Sequence, residues 1–294
     1  NQKAAGILAY GNKPEISGCA NFGDINNTNA SLSSTAAGAA GIVAYADPVI
    51  SDCCNFGNVS AKDNAGSILG YSKTTYTAAS VKNFYNVGEV KATADGAKAV
   101  NMFVGKAGKI TLTNCVYDKQ VLYTSDAEDG VDTKTLLADM GDGFTDGAQG
   151  YPMPKGVADY PEARLARTAI LFSCATDTYG SVTDWFSLAA DPEVKPVATD
   201  IFSVEGDKVS PKSYTTGTYE FATTLGTLKR AVQLTLDTKL VTGIEDVTIG
   251  NIPVRVEYIG INGIRMTEPV KGAGTVIRRS IFSDGTVKTE KIIL

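Results

Sequence analysis

Along the first 121 residues, apolar and polar positions return in blocks of about 31 residues. Four decapeptides, beginning at Ile16, Ile50, Val81 and Leu112, carry the pattern. They read Ile-Ser-Gly-Cys-Ala-Asn-Phe-Gly-Asp-Ile, Ile-Ser-Asp-Cys-Cys-Asn-Phe-Gly-Asn-Val, Val-Lys-Asn-Phe-Tyr-Asn-Val-Gly-Glu-Val and Leu-Thr-Asn-Cys-Val-Tyr-Asp-Lys-Gln-Val. Their starts lie 34, 31 and 31 residues apart. A second motif precedes each one: Gly6-Ile-Leu-Ala-Tyr10, Gly41-Ile-Val-Ala-Tyr45, Ser67-Ile-Leu-Gly-Tyr71 and Asn101-Met-Phe-Val-Gly105. A fixed period of this length marks stacked repeats, none of which buries its apolar face alone.

The columns of this alignment predict the stacking. Cys19, Cys53, Phe84 and Cys115 form one apolar column; Ala20, Cys54, Tyr85 and Val116 form another; Ile25, Val59, Val90 and Val121 a third. Side chains piled up inside a coil would give such columns. Asn21, Asn55 and Asn86 align, each followed two residues later by Gly23, Gly57 or Gly88. Asn bonds neighbouring backbone at bends and Gly accepts positive φ, so this pair predicts a corner. Stacked asparagines would also form an amide ladder. Two or three short strands per repeat, paired in parallel about 4.8 Å apart, follow. Crossover rules make the winding right-handed. The expected fold is all-β, starting with a right-handed parallel β-solenoid.

These residues resemble the GLUG-type repeat of bacterial surface proteins, over Ala4 to about Val121. In the fourth copy Tyr117, Asp118 and Lys119 replace the Asn-x-Gly corner. The stretch holding Leu136, Leu137, Phe144 and Gly-Tyr-Pro-Met-Pro at 150–154 looks like a closing cap, so the first domain is drawn as residues 1–158. No comparable cap precedes the first coil. Further coils upstream, or self-association through an uncapped strand edge, are the corresponding expectations.

From Arg164 the pattern changes to separate strand-like runs: 169–174, 182–188, 201–204, 218–224 and 231–236, with Gly, Pro and Asp between them. That spacing predicts an antiparallel sandwich over 159–240. Asp200-Ile-Phe-Ser-Val-Glu-Gly-Asp-Lys-Val209 followed by Thr216-Gly-Thr-Tyr-Glu-Phe resembles bacterial Ig-like domains, with Trp185 then in the core. Residues 241–294 hold about four short strands, with Asp284-Gly285 as a hairpin signal. They look like the C-terminal sorting domains of Bacteroidetes secreted proteins, a small antiparallel β domain.

Composition sharpens this picture. The chain has 294 residues, 20% charged, with a formal net charge of −5 and no histidine. The charge gives no reason to approach nucleic acid. No apolar run reaches the roughly 20 residues of a membrane span. Without histidine the usual Ser-His-Asp, Cys-His and His-zinc sites are excluded. Asp126, Glu128, Asp129 and Asp132 are weak candidates for calcium, but no closing Glu follows Gly130, and an exposed loop is the simpler reading. Cys19, Cys53 and Cys115 read as small buried hydrophobes rather than reactive thiols. Arg255, Arg265, Arg278 and Arg279 form no single basic face, because neighbours along a strand point to opposite sides.

These readings predict a secreted or cell-surface protein, adhesin-like, binding a surface glycan or a surface protein without catalysis or cofactor. A carbohydrate-active enzyme with its site on a solenoid face, or a structural spacer, are the alternatives. No paired carboxylates for glycoside hydrolysis are found in the repeat columns. The candidate ligand-binding residues are Tyr10, Tyr45 and Tyr71, whose rings would line one face of the coils.

Overall fold

The computed structural model describes residues 3–28, 38–72, 79–92, 99–106, 109–119, 129–172, 186–206, 208–212, 217–236, 255–260, 265–266, 275–281 and 287–293. The chain forms two compact units, Asn1–Val241 and Thr242–Leu294. Most of the described structure is strand.

The repeats stack into a parallel β-solenoid with four sheets rather than two or three. One sheet joins Lys3–Ala5, Gly38–Ala40, Asn64–Gly66 and Ala99–Val100. The next joins Val43–Ala46, Leu69–Ser72 and Val104–Lys106, and Leu8 bridges to Val43. The third and longest joins Glu15–Ser17 and Ala20–Asn21 to Val49–Asn55, Ala79–Asn86 and Ile110–Asp118. The fourth joins Ile25–Asn27, Val59–Ala61 and Val90–Ala92. Phe84 pairs with Cys53 and with Cys115. Ala20 pairs with Cys54, and the Cys19 amide lies 3.4 Å from the Cys53 sulfur, so the cysteine column stands as read.

In the fourth coil the register of the first motif is one residue away from the sequence alignment. Leu69 pairs with Val104 and Tyr71 with Lys106, not with Gly105. Apolar Phe103 and Val104 both enter the core, which the alignment on Asn101 did not distinguish.

The asparagines form the expected ladder. Asn21 Nδ2 donates to Asn55 Oδ1 and Asn55 Nδ2 to Asn86 Oδ1, both at 2.7 Å. Each amide also donates to the carbonyl two residues on, at Gly23, Gly57 and Gly88 (2.9, 2.8 and 2.7 Å). Asn55 and Asn86 are fully buried, so every one of these bonds replaces water. Tyr117 takes the next place in the column and ends the ladder inside the core.

The glycines serve a different purpose from the one their sequence position suggests. None of Gly23, Gly57 and Gly88 takes a positive φ. A Cβ on Gly57 would instead lie 2.0 Å from the Gly23 carbonyl oxygen, and one on Gly88 2.0 Å from that of Gly57. Close approach between coils requires them. At the middle of the long sheet the left-handed conformation recurs at Gly18, Asp52, Asn83 and Asn114, with φ of 63°, 53°, 54° and 51°. Short polar residues tolerate that region best. One such residue per coil breaks strand alternation, as a bulge does. Ile50 and Cys53, or Val81 and Phe84, thereby enter the same core although three residues apart.

The same break sends the neighbouring column outward. Ala20, Cys54, Tyr85 and Val116 do not line the coil interior. They lie in a second core with Phe56, Leu136, Met140, Phe144, Tyr151 and Met153. The 133–169 segment therefore covers the flank of the long sheet as well as its end. At that end Gly130–Val131 pairs with Tyr117 and Asp118. Two short helices, Thr133–Ala138 and Pro161–Ala166, belong to this segment. Buried Asp118 accepts from the Thr133 and Tyr151 hydroxyls at 2.7 and 2.6 Å and fixes it to the last coil.

Next come two antiparallel sheets. Ala169–Phe172, Phe186–Ala189, Lys208–Pro211 and Phe202–Glu205 form one; Lys195–Val197, Gly217–Leu225 and Leu228–Leu236 form the other. Ile170, Phe186, Phe202 and Val209 from the first meet Phe221 and Val232 from the second. Trp185 lies outside the described residues. Arg164 bonds Asp191 through two nitrogens at 2.8 and 2.9 Å. Arg230 places its guanidinium 5.5 Å from the Phe56 ring centre and donates to the Ala166 carbonyl, joining this sandwich to the flank of the solenoid.

In the second unit Arg255–Gly260 is central, flanked by Arg265–Met266 and by the hairpin of Thr275–Ile281 with Val287–Ile293. Ile281 faces Val287 across the end of that hairpin; Asp284 and Gly285 lie outside the described residues.

Three substitutions separate these roles. Gly57→Ala should cost about 3 kcal/mol or more, as overpacking against fixed backbone does. Gly23→Ala, whose Cβ would meet nothing nearer than 4.0 Å, should stay within about 0.5 kcal/mol. Asn55→Ala should cost about 2–5 kcal/mol, since Asn21 and Asn86 each lose a buried partner. Thermal melts of the three variants check the order.

Candidate functional site

Tyr45 and Tyr71 lie within strands of the second sheet, where parallel pairing sets them opposite each other, and Tyr10 stands at the matching place of the first coil. Their ring centres are 5.6 and 5.5 Å apart and their planes 20° and 19° from parallel. Offset stacking fits these separations. Tyr10 is 56% exposed; Tyr45 and Tyr71 are half-buried. None of the three belongs to the buried core formed by Ile42, Val43, Ile68 and Leu69 beside them.

Two lysines frame the row. Lys3 Nζ lies 5.5 Å from the Tyr10 ring centre and 5.0 Å from that of Tyr45. Lys106 Nζ lies 5.4 Å from Tyr71. Both separations fall within the range of cation–π attraction. Sequence reasoning missed both residues. Lys106 was hidden by the one-residue misregister of the fourth motif. Lys3 lies opposite Gly38, in a column with no recurring chemistry to mark it.

Other candidates fare differently. Asp126 and Glu128 lie outside the described residues. Asp132 pairs with Lys119 at 2.9 Å and precedes the first short helix. Among the described residues no group of three or more metal-ligating side chains converges. A cleft of about 170 Å³ beside Leu188, Asp191, Val194 and Lys195 is smaller than ordinary ligand pockets. Its Asp191 carboxyl is already held below the usual range by the Arg164 hydrogen bonds. In the terminal sheet the backbones of Arg278 and Arg279 stand opposite those of Glu290 and Thr289, and Arg279 Nη1 lies 3.7 Å from Glu257 Oε2. No described helix is long and apolar enough to cross a membrane.

Cys19, Cys53, Cys54 and Cys115 are free thiols. Burial pushes the Cys53 thiol up to about 12 and that of Cys115 up to about 11. Such groups stay protonated and are poor nucleophiles.

Family models, curated proteins and solved structures contain no match to this chain.

The raised thiols make stability depend on alkaline pH. An unfolded thiol ionises near ~8.5 while the folded one does not. Stability from this source is therefore constant below about pH 8.5. It falls as pH rises from there towards the folded values. Between about pH 9 and 11 the unfolding free energy of the wild type should fall more steeply than that of Cys53→Ala, by about 1.4 kcal/mol per pH unit. Urea titrations at stepped pH measure the difference; parallel slopes would refute it.

Proposed function

We propose that this chain is a non-catalytic binding module of a secreted or surface-displayed protein, and that its solenoid captures glycan along the tyrosine row. The observation that carries this reading is the row itself, three aromatic rings in register on successive coils and outside the core. Aromatic rings offer apolar faces to the C–H faces of sugar rings while the hydroxyl supplies a polar edge. Repeating the same residue along an axis suits a ligand that also repeats. The sequence likeness of residues 4–121 to GLUG-type repeats, of the sandwich to bacterial Ig-like domains and of the terminal unit to sorting domains supports display outside the cell.

Tyr45→Ala tests the site because Tyr45 is the middle ring and contacts both neighbours. On a glycan array the wild-type chain should retain at least one class of polysaccharide. The variant should lose about tenfold or more in apparent affinity, a difference of about 1.4 kcal/mol, with the melting temperature changed by no more than a degree or two. Retention equal to wild type would remove the row from the site. Absence of any retained glycan would leave the spacer role.

A further inference from the structure

The tyrosine row is bracketed by ammonium groups, and this selects among glycans. We infer that the preferred ligand is an acidic polysaccharide, one bearing carboxylates or sulfates along its length; this rests on the glycan-binding reading above. Lys3 belongs to the first coil and Lys106 to the fourth. Three inter-coil steps separate their backbones by roughly 14 Å along the solenoid axis, and the Lys3 ammonium reaches to the Tyr10 and Tyr45 rings. A chain laid over the tyrosines would meet one cation beside the first two rings and another beside the third. Each ammonium has three donors, and contact with a ring face leaves others for a ligand. Among the described residues neither lysine forms an ion pair.

The rest of the charge distribution makes this local pair decisive. The chain carries a formal net charge of −5, so a polyanion gains nothing from the overall field of the protein. Only a site with its own cations holds it. The change from Tyr to Lys at the fourth place of the column supplies one of them. A row that served only to stack on neutral sugar would gain nothing from a cation at that place.

Two matched pairs of probes separate charge from sugar: polygalacturonate with its fully methyl-esterified form, and dextran sulfate with dextran. The wild-type chain should bind the acidic member of at least one pair more tightly than its neutral partner, and the preference should shrink as salt rises. Preference in the first pair identifies carboxylate as the anion, preference in the second sulfate. Lys106→Met and Lys3→Met should each weaken binding of the acidic probe about two- to fivefold, the scale of an exposed ion pair. The neutral partner should lose less than the acidic one, so that the ratio of the two affinities falls. Equal binding of both members, or an acidic preference that survives the double substitution, overturns this inference while leaving glycan capture standing. If none of the four probes is retained by the wild type, the acidic preference is overturned, and the glycan array decides separately whether glycan capture stands. Melting temperatures equal to wild type confirm that the variants are folded.

Discussion

Three carboxamides, Asn21, Asn55 and Asn86, set the geometry on which the other parts of the solenoid depend. All three donate to their own turn, and Asn21 and Asn55 also donate to the asparagine of the next coil. The bonds between coils are 2.7 Å long and form inside the core, where an unpaired amide would be costly. The coils therefore have one spacing and one register at this column. The glycines follow from that spacing. Gly57 and Gly88 are tight against the preceding carbonyl, and a Cβ at Gly6 or Gly41 would meet Asn21 or Asn55 Oδ1 at 2.4 or 2.3 Å. The Gly of the first motif makes room for the Asn of the second. Two motifs that look separate along the chain are halves of one packing unit.

A second polar column governs how the solenoid joins its neighbours. The left-handed residues at 52, 83 and 114 are tied to each other, Asn83 to Asp52 at 2.8 Å and Asn114 to Asn83 at 3.0 Å. Their break in alternation gives the long sheet two apolar faces. One fills the coil; the other carries Cys54, Tyr85 and Val116 and demands cover. The 133–169 segment supplies it, with Tyr151 packed on Phe56 and Tyr85 and with the Tyr85 hydroxyl donating to the Pro152 carbonyl at 2.5 Å. Gly143 lies so close to Asp52 that a Cβ would come within 2.4 Å of its carboxyl carbon. The sandwich then reaches the same flank through Arg230. Solenoid, covering segment and sandwich thus meet on that flank.

The tyrosine row is a by-product of the same register. Once the amide ladder fixes the coils, a tyrosine recurring in each first motif has no choice but to stack on its counterpart. What the row presents outward is decided at its ends, where the repeat changes. In the fourth coil Tyr117 closes the amide ladder and Lys106 replaces the tyrosine. Structural termination and chemical differentiation fall in the same coil, which joins a neutral aromatic surface to a cation.

The repeat, its parallel stacking, the cysteine and asparagine columns and the change to antiparallel sheets after residue 160 are all legible in the sequence. Each is written several times over, and a period needs no knowledge of partners far along the chain. Tertiary structure alone decided the rest. Whether Cys54 and Tyr85 face in or out depends on one bulged residue before them, and alignment of identities does not reveal a backbone conformation. The covering role of 133–169 depends on contacts with coils some 50 to 100 residues earlier. The short helices there, about a turn and a half each, are too brief to show helical periodicity. Lys3 meets the tyrosines from a different sheet, and Lys106 meets them by continuing their own column. A single-residue register, invisible in a decayed repeat, settles which side chain stands there.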